Sequence, residues 1–242
     1  MLYYSQTGAT ATVAQELHKH LGCDIAAIEA AVPYDGDYAA TIARWQAEMA
    51  EGTKVEIKPL DINLASYSTI LLCFPIWGGT YASPVATFLA DNDLGGKKVV
   101  TFATFGSGGL DKATADAAAA RPDAEVTRGY GVRNARIAKA PAEIERFLIE
   151  GGYITGEAEA LPAFSESVPV TEAEAAVFNE ACGSYQFPLG TPMEAASRAI
   201  PGGTEYKFIA QSPTPDGTIA TSVIYVTAEE GAAPEFTEVV RN

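Results

Sequence analysis

Close to its start the chain sets hydroxyls and one glycine in the order Ser5-Gln6-Thr7-Gly8-Ala9-Thr10. Just before them, Leu2-Tyr3-Tyr4 reads as the end of a buried strand. Just after them, Val13, Leu17 and Leu21 fall on one face of a helix. A strand, a tight turn and a helix in that order bring free amide N–H groups together at the positive end of the helix, which is an anion site. The hydroxyls of Ser5, Thr7 and Thr10 would add donors suited to a phosphate. The same residues would also serve to cap a helix and nothing more, since Ser and Thr favour that position. The turn lacks the lysine of a P-loop, which argues against a nucleoside triphosphate. It also lacks the three glycines of a dinucleotide fingerprint, which argues against a pyrophosphate on bare backbone.

Two later stretches suit a flat, polar aromatic ring attached to that phosphate. Pro75-Ile76-Trp77-Gly78-Gly79-Thr80-Tyr81 offers an indole for stacking and two glycines that let backbone amides approach a ring edge. Here Pro75 is read as the stop of a strand, which leaves Trp77 in a loop. Thr104-Phe105-Gly106-Ser107-Gly108-Gly109 offers small residues and free amides. Taken singly, Trp77 could also be a core tryptophan, though the proline before it and the glycines after it weaken that reading, and the Gly106 segment reads as a plain turn. No Ser-His-Asp or Cys-His arrangement is evident. His18 and His20 lie two apart on a helix and do not share a face. Cys23, Cys73 and Cys182 are too few and too scattered for a disulfide framework or a metal knuckle, so no metal is expected.

These stretches need a scaffold that brings them together. Strand-like runs at Cys23 to Glu29, Thr69 to Phe74, Lys98 to Thr104 and Val126 to Val132 alternate with helical patterns. The helices are Tyr38 to Met49 (Ile42, Trp45 and Met49 on one face), Ser83 to Leu89 (serine cap, Pro84 in the first turn), Leu110 to Ala120 and Pro141 to Leu148. Pro33 to Asp37 reads as a turn, and Lys54 to Pro59 as extended. The central runs are apolar without alternation, as strands covered on both faces should be. The pattern is α/β, a doubly wound parallel sheet, in which ligands sit beyond the carboxyl ends of the strands. All three stretches leave those ends. Residues 162–169 read as linker. Beyond them the pattern becomes α+β, with a helix from Thr171 to Cys182 and strands at Glu205 to Gln211, Ala220 to Thr227 and Phe236 to Val240. Pro213-Thr214-Pro215-Asp216-Gly217 makes a hairpin turn. The expected domains are 1–157 and 170–242, with 158–169 between them.

The chain has 242 residues, a mean hydropathy of +0.04 and a net charge of −15. So acidic a balance argues against nucleic acid as a partner. Residues 1–157 hold 13 Lys+Arg against 19 Asp+Glu, and residues 158–242 hold 3 against 12, so the smaller part is the more acidic. The longest apolar run, Ile70 to Trp77, is too short to span a bilayer. No signal segment opens the chain, which points to the cytoplasm. Only four residues precede Ser5, however, so the natural sequence is expected to begin upstream.

Residues 1 to about 155 resemble the flavodoxin-like, FMN-binding family. Ser5-Gln6-Thr7-Gly8-Ala9-Thr10 is similar to its phosphate loop, Ser/Thr-x-Thr-Gly-x-Thr. Pro75-Ile76-Trp77-Gly78-Gly79-Thr80 with Pro84 resembles the Pro-Ile-Trp-Trp-Gly loop of the short-chain bacterial branch, with Gly78 in place of its second tryptophan. Thr104-Phe105-Gly106-Ser107-Gly108 resembles the loop after the fourth strand. The resemblance implies a strand order of 2-1-3-4-5 and FMN as cofactor. Ser5, Gln6, Thr7, Gly8, Ala9 and Thr10 would hold the phosphate. Pro75, Ile76, Trp77, Gly78 and Gly79 would hold the ring, together with Thr104, Phe105, Gly106, Ser107 and Gly109. It implies electron transfer to a redox partner protein, or reduction of a small quinone-like acceptor, at low potential because the acidic surroundings oppose an anionic reduced ring. The alternative is a scaffold whose C-terminal module recognises a partner. That module resembles cystatin-like folds through Ile200-Pro201-Gly202-Gly203-Thr204-Glu205-Tyr206-Lys207-Phe208, with Ala199 and Pro201 where that family has glutamine and valine.

Overall fold

The computed structural model describes residues 1–34 and 37–241, in two compact units, Met1–Gly156 and Glu157–Asn242. The turn expected at Pro33 to Asp37 lies partly outside the described residues, because Asp35 and Gly36 are not among them. The first unit runs β1 (Leu2–Tyr3), α1 (Ala9–Leu21), β2 (Ala26–Ala27), α2 (Tyr38–Glu51), β3 (Thr69–Trp77), β4 (Thr80–Tyr81), α3 (Ser83–Asp91), β5 (Lys98–Phe105), α4 (Leu110–Ala120), β6 (Glu125–Arg133) and α5 (Ala140–Glu150). Five strands form a parallel sheet in the order β2-β1-β3-β5-β6, and the short β4 folds back antiparallel on β3. With β4 set aside, this is the flavodoxin-like order 2-1-3-4-5.

Alternate residues of the central strands feed two cores. Leu72 and Phe74 face one side with Val85 and Phe88 of α3 and Leu110 and Ala113 of α4. Leu71 and Cys73 face the other with Val13 and Leu17 of α1 and Ile144 and Leu148 of α5. Both faces are covered, so the strands are apolar throughout.

The second unit contains β7 (Val168–Pro169), α6 (Glu172–Cys182), β8 (Thr191–Ile200), β9 (Gly203–Pro213), β10 (Ile219–Glu229) and β11 (Glu235–Arg241) in an antiparallel sheet of order β11-β10-β9-β8-β7. Phe178 and Cys182 of α6 pack onto Phe208, Ile224, Val226, Phe236 and Val239. Thr171 and Glu174 close a reciprocal cap at the start of α6.

Several local expectations are corrected. Pro75 does not stop β3, which continues to Trp77. The Cys73 carbonyl faces β1, where it accepts from the Tyr4 amide at 3.0 Å. Two residues on, Pro75 turns its missing N–H to the same side, and β1 has already ended there, so no ladder bond is lost. On α2 the inward face carries Thr41 and Glu48 beside a half-buried Trp45, while Met49 is 60% exposed. Ser83 is the first residue of α3 rather than its cap, and Ala82 precedes it. The run Lys54 to Pro59 contributes only a single bridge, Ile57 to Ala30. Strand β8 was not foreseen, because its alanines have little strand preference of their own and pairing with β9 imposes the form.

Leu17 is fully buried where α1 meets the sheet. Leu17→Ala is expected to lower unfolding stability by about 2–5 kcal/mol in urea denaturation. A loss under about 1 kcal/mol would show that α1 is not seated there.

Candidate functional site

Between β1 and α1 the chain turns at Gly8, whose φ of 94° lies in the left-handed region and which precedes α1 without a side-chain cap. Consecutive amides around such a residue form a concave nest for an anion. The Ser5 hydroxyl oxygen accepts from the Gly8 amide at 3.2 Å and from the Ala11 amide at 3.1 Å, so these donors do converge on an oxygen. Among the described residues the amides of Thr7, Ala9 and Thr10 have no protein acceptor, and neither does the Thr7 hydroxyl. Thr7 and Gly8 are exposed.

The other two side chains of this turn are engaged elsewhere. The buried Thr10 hydroxyl shares a hydrogen bond of 2.8 Å with Thr104 at the end of β5. That bond ties the first connection to the third. Gln6 donates through Nε2 to the Tyr34 carbonyl and accepts at Oε1 from the Tyr4 hydroxyl at 3.1 Å. Toward an anion, Gln6 and Thr10 therefore offer backbone amides rather than side chains.

The second and third connections also meet. Trp77-Gly78-Gly79-Thr80 is a two-residue hairpin turn with both glycines at positive φ, 55° and 85°. Gly109, at φ 112° before α4, lies so close to this turn that a Cβ there would come 3.1 Å from Ile76 Cγ2 and 3.6 Å from the Gly79 carbonyl oxygen. Only glycine suits that position. Gly8, Gly79 and Gly106 each face open space, with nothing within 4 Å of a built Cβ. Ser107 is half-exposed. Arg133, at the end of β6, donates from Nε to the Gly106 carbonyl at 2.8 Å and brings a guanidinium to this rim.

Trp77 and Phe105 are placed differently from what their motifs suggested. Trp77 is 6% exposed and packs edge-to-face against Tyr4 and Tyr34, with ring centroids 5.6 and 4.9 Å away. This corrects the expectation of an open indole in a loop: because β3 runs on through Pro75, the side chain points into the core. Phe105 is buried as well, which leaves its backbone to the rim. Around Trp77 lies a polar network that sequence reasoning missed. Tyr34 donates its hydroxyl to buried Glu48, Arg44 bonds Glu48 Oε1 through Nε at 2.8 Å, and the Arg44 guanidinium sits 3.8 Å from the Tyr34 ring centre. Burial first, then the Glu48 hydrogen bond, push the Tyr34 hydroxyl well above the usual tyrosine range, so it stays a donor. The signal for this network was Arg44 and Glu48 four apart on α2.

Taken together, the rim offers a nest of unpaired amides with no acidic side chain in Ser5–Thr10, and beside it glycine-lined backbone open to a flat group. The residues present fit a phosphate with an attached planar ring.

The Thr10–Thr104 pair makes a direct prediction. Thr10→Val is expected to cost about 1–3 kcal/mol in chemical denaturation, because the buried Thr104 hydroxyl loses its partner. Thr7→Ala, on the exposed side of the turn, should stay within about 0.5 kcal/mol. Equal stability of Thr10→Val and the wild type would remove this tie between the connections.

Solved structures are similar to the first unit of this chain. A chain assigned as a flavoprotein, from Bacteroides uniformis, is 26% identical with a TM-score of 0.52, over 60% of this chain and 95% of that one. A second, from Bacteroides eggerthii, is 27% identical with a TM-score of 0.50, over 60% and 93%. A flavoprotein from Lactobacillus acidophilus in complex with FMN is 21% identical with a TM-score of 0.48, over 60% and 95%. No curated protein matches the chain. Residues 1–145, more than half of the sequence, match flavodoxin, and the chain belongs to the flavodoxin family, whose cofactor is FMN.

Proposed function

We propose that this chain binds FMN across the three connections at the carboxyl rim. We propose further that it works in electron transfer to a redox partner protein, or in reduction of a small quinone-like acceptor. The observation that supports this most is the turn Ser5–Thr10, where the amides of Thr7, Ala9 and Thr10 have no protein acceptor among the described residues at the start of α1, and which Thr10 fastens to the end of β5. The amides of Thr7, Ala9 and Thr10 and the Thr7 hydroxyl would hold the phosphate oxygens, with the positive end of α1 behind them. Backbone at Gly79, Gly106 and Ser107 would border the ring. When bound, FMN supplies the redox chemistry, and the protein sets orientation and electrostatics. Residues 1–157 hold 13 Lys+Arg against 19 Asp+Glu, and this acidic excess disfavours adding negative charge to the ring and would hold its reduction potential low. Arg133 at the rim opposes this locally.

Titration by fluorescence with FMN and with riboflavin tests the reading. Several charge-assisted hydrogen bonds, at about 1.5–3 kcal/mol each, predict that FMN binds at least about 100-fold more tightly than riboflavin. Equal affinity for the two would contradict a phosphate site at this turn. Absence of binding would contradict the function itself.

A further inference from the structure

Trp45 stands where the sequence lacks an aromatic. A Cβ built on Gly78 would come closer to Cη2 and Cζ2 of Trp45 than a side chain there could approach. The space that a side chain at 78 would occupy is thus already filled by an indole that arrives from α2. Trp45 is half-buried: it packs on the core that contains Phe74 and Trp77, and its six-membered ring lies against Gly78 of the β3–β4 turn. The neighbouring Gly79 faces open space. Of the two tryptophans in the chain, Trp77 is enclosed by Tyr4 and Tyr34, whereas Trp45 is half-buried beside Gly78.

The turn of helix that carries Trp45 is firmly held. Next to it, Arg44 bonds Glu48 Oε1 and donates to the carbonyls of Val32 and Pro33 at 3.2 and 2.7 Å, while its guanidinium lies on the Tyr34 ring. An indole fixed in this way loses little freedom when a second ring comes against it.

We infer that Trp45 forms an aromatic wall of the flavin ring site, supplied from α2 in place of a side chain at 78. This rests on the reading of the rim as an FMN site. Trp45 is a binding residue in this account and takes no part in bond making.

Two experiments test it, one with FMN and one without. In FMN titrations, Trp45→Ala should weaken binding about three- to tenfold, as expected for loss of one ring–ring contact. Indole against flavin gives a broad absorbance shoulder at long wavelength. That shoulder should be present in the wild-type complex, absent from Trp45→Phe, and retained in Trp77→Phe. Without ligand, Gly78→Asn, chosen because asparagine tolerates positive φ, should lower the Tm in the wild-type background and lower it less in Trp45→Ala. Unchanged FMN affinity in Trp45→Ala, a wild-type complex without the shoulder, or a shoulder that survives in Trp45→Phe would each overturn the inference. So would an equal Tm loss from Gly78→Asn in both backgrounds. If wild-type protein takes up no FMN, the functional reading fails and this inference with it. Uptake by wild type with an indifferent Trp45→Ala sinks this inference alone.

Discussion

Strands β1, β3 and β5 run side by side in one direction, with Tyr3 opposite Cys73 and Cys73 opposite Phe102. That register determines where their connections emerge. Each connection leaves a carboxyl end on the same rim, and helices that must return over one face or the other begin there. Nothing in the turn at Ser5–Thr10 requires it to lie near Gly106 or Gly79. The buried ladder between them requires it, and the ladder is held by apolar burial on both faces. The placement of the three connections therefore depends on a core that lies mostly away from them.

The rim is joined by close approaches that each need a particular residue. Thr10 and Thr104 satisfy one another in a dry setting, where either hydroxyl alone would be costly. Gly109 lets its loop come within van der Waals range of Ile76 and Gly79. Gln6 links the first turn to Tyr34 and Tyr4, and Tyr34 continues through Glu48 and Arg44 into α2. The side chains of Ser5, Gln6 and Thr10 hold the loops in place instead of facing outward. The groups left open are the amides of Thr7, Ala9 and Thr10 and the Thr7 hydroxyl, whose positions those loops set.

The sheet and the first and third connections were legible in the sequence. Uninterrupted apolar runs such as Thr69 to Phe74 have few alternatives in a chain of this kind, and the order of turn and helix at Ser5–Thr10 dictates its own amide geometry. The placement of Trp77 was not legible. Proline reads locally as a strand stop, and whether Pro75 has an empty side to face depends on where β1 ends, which lies some seventy residues away in the chain. The role of Trp45 was hidden for a related reason. Its helical spacing marks it as inward-facing, but only the fold shows that the space it fills belongs to Gly78. In the second unit, Thr191–Ile200 has the composition of no particular element and becomes a strand by pairing with its neighbour.

The central claim is that one ligand lies across all three connections. Backbone amide shifts recorded by NMR with and without FMN test it most directly. The account expects the largest changes at Thr7, Ala9 and Thr10, at Gly79, and at Gly106 and Ser107, saturating together at one ligand per chain. Changes confined to one connection, or centred away from this rim, would contradict it.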